Sequence, residues 1–94
     1  MNYDIQLEAL QEFKSFLEQF SEELGEKIIA YGNKFGALCE SVSVHIAEKY
    51  VTDFCEPNTR VLENLRNDIS GRALPYIRDQ IAITEEAISR AGMG

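Results

Sequence analysis

Tryptophan is missing from this 94-residue chain, histidine occurs once, and proline and cysteine occur twice each. These scarcities exclude most familiar chemistry. The only histidine, His45, would have to serve any Ser-His or Cys-His nucleophile, with Ser41, Ser43 or Cys39 as its partner. His45-Ile46-Ala47-Glu48 is a single reversed half of a bundle di-metal motif, and one copy builds no site. Cys39 and Cys55 lack CxxC spacing and are too few for structural zinc, so they read as two free thiols. Gly32-Asn33-Lys34-Phe35-Gly36 has neither the glycine spacing nor the Lys-Ser/Thr ending of a phosphate loop. Glu22, Glu23 and Glu26 read as a solvated helix face. We expect no catalytic residues, no metal and no cofactor.

Basic runs are equally scarce. The formal charge is −7 and the isoelectric point near 4.6, and residues 1–26 hold Asp4, Glu8, Glu12, Glu18, Glu22, Glu23 and Glu26 against Lys14 alone. That acidic stretch repels phosphate backbones, so nucleic acid is not an expected partner. No apolar run is long enough to span a bilayer, so no membrane insertion is expected. Met1-Asn2-Tyr3-Asp4 carries no basic n-region, which points to a cytoplasmic location, or to export by machinery that reads no cleavable signal peptide.

What is abundant is helical periodicity. Leu7, Leu10, Phe13, Leu17, Phe20, Leu24, Ile28, Tyr31, Phe35 and Leu38 follow one another at steps of three and four, the spacing of one helix face. Glu8, Glu12, Ser15, Gln19, Glu22 and Glu26 line the opposite side. A heptad drawn through Leu10, Phe13, Leu17, Phe20 and Leu24 would bury Lys27 and Lys34. An eleven-residue repeat linking Phe13, Leu24 and Phe35 avoids this and describes a nearly straight helix. We expect a helix over about 3–40, in which Gly32 and Gly36, one turn apart, mark either close approach of a neighbouring helix or a weakened end.

A turn follows at about 41–44, where either serine is able to cap the next helix. Helical spacing resumes over about 45–91, kinked or broken near Pro57 and near Gly71–Pro75. Two architectures remain open: a hairpin of two long helices, or three short helices against the long one. A turn centred at Val42 pairs residue i with 84−i, setting Phe13 beside Gly71, Leu10 beside Leu74, Leu7 beside Ile77 and Phe20 near Leu65. These pairs favour an all-α antiparallel hairpin forming a single helical domain.

A bare hairpin leaves a wide apolar face uncovered. The expected interaction face is Leu10, Phe13, Phe16, Leu17, Phe20, Leu24, Ile28, Tyr31 and Phe35. Burying it calls for a protein partner, either a second copy or a small helical heterodimer partner, completing a four-helix bundle.

Length, acidity and two long helices about a central turn resemble the WXG100, or ESAT-6-like, proteins of type VII secretion. The family's Trp-x-Gly turn is replaced here by Glu40-Ser41-Val42-Ser43-Val44. Tyr76-Ile77-Arg78-Asp79 and Tyr50-Val51-Thr52-Asp53 each fall one residue short of its Tyr-x-x-x-Asp/Glu signal. The resemblance implies a non-enzymatic, self-associating hairpin linked to export, and no functional residue is carried over. The competing expectations are a cytosolic helical adaptor or secretion chaperone that holds a partner helix, and a component of a larger assembly.

Overall fold

A computed structural model describes residues 2–93, with the backbone alone at Met93. Among the described residues every regular element is helical, and the chain forms an all-α hairpin. The first arm is one helix, α1 (Tyr3–Cys39). Asn2 begins it: its side-chain oxygen accepts from the Asp4 and Ile5 amides at 2.9 and 3.2 Å, satisfying donors with no partner inside the helix. The last turn tightens where the Ser41 amide donates to the Leu38 carbonyl at 3.0 Å. Of the two candidate capping serines, Ser43 is the one used. Its backbone is extended and its hydroxyl accepts from the Ile46 amide at 3.3 Å.

The return arm comprises α2 (Val44–Tyr50), α3 (Glu56–Asp68) and α4 (Leu74–Met93), joined by the π turns Val51–Cys55 and Ile69–Ala73. Neither proline stops it. At the junctions Val51, Glu56 and Leu74 all keep right-handed helical dihedrals. The Glu56 amide donates to the Val51 carbonyl and the Leu74 amide to the Ile69 carbonyl, each reaching five residues back. Pro57 and Pro75 come immediately after these two bonds. A proline ring inside an α-helix collides with the carbonyl four residues earlier and removes a donor. Widening the preceding turn by one residue relieves the collision, and the π turn is that widening. The two positions expected to kink or break the arm are therefore accommodated prolines with the same local solution. Pro75→Ala should then shift stability by well under the ~3 kcal/mol of a proline forced into an α-helix interior, as read by urea denaturation. A gain near the full amount would show that the π turn relieves nothing.

Contacts between the arms fall into two units: α1 as far as Ser21 with the chain from Asp68 onward, and Glu22–Asn67. In the first, Ile69, Leu74 and Thr84 are buried, Thr84 only 1% exposed. The Thr84 hydroxyl donates to the Gln80 carbonyl at 2.8 Å and accepts from the Gln6 amide at 2.9 Å. The Ser21 and Ser70 hydroxyls meet at 3.5 Å, and Arg78 reaches Glu18 at 3.8 Å. In the second unit Leu24 is buried. The Arg66 guanidinium lies over Gly25, so close that a Cβ there would stand 2.9 Å from its central carbon. Gly32 and Gly36 face open space instead, and no neighbouring helix approaches them within 4 Å.

The expected registry is corrected. The 84−i rule sets Ser70 opposite Lys14, whereas Ser70 meets Ser21, about two helical turns further along α1. Phe13 does not lie on Gly71, which has nothing within 4 Å of a built Cβ. The π turns account for part of the offset, since each holds more residues for the same axial advance. The inner edge of α1 also differs from the expected stripe. Leu7, Leu10, Lys14, Leu17, Ser21, Leu24 and Ile28 are all at least partly buried, at alternating steps of three and four. This is a heptad set one position away from the one that would have buried Lys27. It admits Lys14 because the aliphatic stem lines the seam while the ammonium sits 3.8 Å from Glu18.

Candidate interaction surface

The face expected to bind a partner divides in two. Leu24 is buried, and Leu10, Leu17 and Ile28 are partly buried, in the seam within the hairpin. Phe13, Phe16 and Tyr31 turn outward, 57%, 61% and 50% exposed, with Phe20 and Phe35 half-buried. The helix geometry explains the split. Phe13, Phe16 and Phe20 sit roughly 60–120° around the α1 axis from the seam, on a flank the return arm does not reach.

In the first unit that flank carries an aromatic pair, the Phe16 and Phe20 rings lying nearly parallel with centroids 5.9 Å apart. In the second, the turn end of the hairpin carries a larger apolar surface. Phe35 tilts against Tyr50 at 6.2 Å, and Tyr50 against Phe54 at 5.3 Å. Phe35, Leu38, Cys39, Val42, Ile46 and Tyr50 line a half-open apolar depression of about 220 Å³. A second opening, of about 370 Å³, continues from Phe35 past Tyr31 to Val61 and Leu62.

Most of this turn-end surface comes from Leu38 onward, beyond the residues singled out from α1. Its return-arm half is legible in the four-residue steps Ile46, Tyr50 and Phe54. Cys39 and Cys55 are both free and partly buried. His45 is exposed, one residue after the start of α2. Among the described residues no three His, Cys, Asp or Glu side chains gather to hold a metal ion, and no helix is long and apolar enough to cross a membrane. What this surface can do chemically is exchange water for another apolar surface. No known protein family, curated protein sequence or solved structure matches the chain.

Proposed function

We propose that this is a non-enzymatic helical interaction protein whose hairpin works by associating through its outward apolar faces, with a second copy of itself as the primary partner. One observation carries this reading. Among the described residues Leu24, Ile69 and Leu74 are the buried apolar ones, while sixteen large apolar side chains stand exposed, Phe13, Phe16, Tyr50 and Phe54 among them. A soluble domain with so little core and so much uncovered apolar surface is organised for a protein interface. The area supports this. The chain exposes 7153 Å², against roughly 5,500 Å² for a folded monomer of this mass. The difference, on the order of 1,700 Å² per chain, matches what a permanent homodimer buries on each side.

A four-helix bundle of two hairpins covers such faces with familiar helix packing. The ESAT-6-like resemblance implies the same form, and a link to type VII secretion belongs to this proposal on that ground. A second reading, an adaptor or secretion chaperone holding a partner helix, is favoured by the apolar turn-end depression, which suits an inserted side chain. Solution mass by light scattering over a range of concentrations tests the proposal. A dimer near twice 10.6 kDa is expected, and a clean monomer throughout gives way to the adaptor reading. Appearance of the protein in the culture medium tests the secretion link separately.

A further inference from the structure

Resting on that self-association reading, we propose that two copies join through one side of the first unit, antiparallel and face to face. Both arms build the face: Phe13, Phe16 and Phe20 of α1 with Tyr76 and Ile83 of α4. Its position follows from the seam. The α1 seam from Leu7 to Ser21 is matched on α4 by Leu74, Ile77, Ile81, Thr84 and Ile88, all at least partly buried and again at steps of three and four. The Ser21–Ser70 contact and the Gln6–Thr84 hydrogen bond set residue i of α1 level with about 91−i of the return arm. Phe13, Phe16 and Phe20 each stand one residue before a seam position, as do Tyr76 and Ile83. In antiparallel helices, positions just before the seam on either arm fall on the same side of the pair, and positions just after it on the other. Glu18 and Arg78, each just after a seam position and 3.8 Å apart, mark that other side.

The two sides differ in charge. Every other place just before the seam in this unit holds alanine or glutamine, so these positions carry no charge at all. Those just after it carry Glu8, Glu18, Arg78 and Glu85. In a chain of formal charge −7, the uncharged side is where an equally acidic second copy meets the least repulsion. It is also where apolar surface stands uncovered. Phe13, Phe16, Tyr76 and Ile83 are 57%, 61%, 62% and 57% exposed. Phe13 and Phe20 are seven residues apart, as are Tyr76 and Ile83, so each arm carries a second apolar stripe beside its seam. Helices that serve two seams at once are those of a four-helix bundle, and the excess surface of the chain is what such a homodimer buries.

Two identical faces meet about a two-fold axis that runs either along the helices or across them. An axis along them lays α1 over α4 of the second copy and sets Glu12 level with Asp79 of that copy, like charge against like. An axis across them, beside Tyr76, lays α1 over α1 and α4 over α4. Phe16 then meets Phe13 of the second copy, and Phe20 meets the small Ala9. On α4, Tyr76 faces its own copy and Ala73 meets Gln80, so bulky groups again stand over small ones. At the rim, Arg72 comes within a turn of Asp79 of the second copy, while Glu12 and Asp79 each stay more than a turn from their counterparts. The crosswise axis is therefore the one assigned.

The test compares neighbouring residues on the two sides of α4 in the full chain. Ile83→Asp should weaken dimerisation by about tenfold or more in light scattering. Ala82→Asp, exposed on the charged side, should leave it within about twofold of the parent. Circular dichroism checks that the helices remain in both. The axis is tested by Tyr76→Cys in a chain that also carries Cys39→Ser and Cys55→Ser. Oxidised with glutathione disulfide, it should give a disulfide-linked dimer, and Ala82→Cys in the same background should not. If the parent dimerises and the two aspartates act alike, the face is wrong while self-association stands. If Ile83→Asp alone dissociates the dimer but Tyr76→Cys forms no link, the face holds and the crosswise axis is overturned. A monomeric parent would overturn the face together with the reading it rests on.

Discussion

Leu74→Ala is expected to melt the hairpin at temperatures where the parent chain is folded. Leu74 is 6% exposed and starts α4 directly after the second π turn, where its amide closes that turn onto Ile69. Truncating a buried leucine removes its transfer free energy and leaves a cavity that relaxes only in part, costing about 2–5 kcal/mol. A chain of 94 residues has on the order of 5–14 kcal/mol of stability in total. With its few buried apolar side chains divided between two units, this one belongs near the lower end. The substitution therefore removes a large fraction of what holds the first unit together. Its comparison is Val44→Ala, at a side chain 74% exposed, where a change within about 0.5 kcal/mol is expected. Urea titrations followed by circular dichroism should separate the two midpoints widely. Equal midpoints would mean that Leu74 is not a core residue.

The long first helix and the mid-chain reversal were open to reading because they rest on local chemistry. Steps of three and four specify a helix, and Ser43 with its extended backbone starts the next one. At the two prolines the sequence left a kink and a break both open, because it carries no signal for a π turn beyond the proline itself. Seen afterwards, Glu56-Pro57 and Leu74-Pro75 are the same device used twice. Registry was misjudged in part for a related reason: pairing by equal count from the turn assumes equal rise in both arms, and the π turns break that assumption. The interaction face was half legible. Apolar periodicity shows which residues avoid water, not whether their own chain or another copy covers them. Leu10 and Leu17 were taken by the seam, while Phe13 and Phe16 were not. Lys14 and Ser21 joined the seam because a lysine stem and a small hydroxyl tolerate partial burial, which a hydrophobic count overlooks.

The same division of apolar residues makes the stability of this protein depend on its concentration. If two hairpins share a core, unfolding is coupled to dissociation, and a folded single chain is sparsely populated. A hundredfold increase in protein then adds about 2.7 kcal/mol by mass action. Two chains of 94 residues unfold with an entropy of roughly 0.4 kcal/mol/K, so the thermal midpoint should climb by about 7 °C between 1 and 100 times the starting concentration. The Phe16→Asp chain should melt lower, and its midpoint should move much less, because the contact that couples folding to association is gone. That pairing of results separates a dimer interface from an ordinary exposed phenylalanine, whose replacement would leave any concentration dependence intact. A parent midpoint constant to within about 1 °C would show that the seam inside the hairpin suffices for one chain alone, and the exposed flank of α1 would then have to be kept for a partner other than itself.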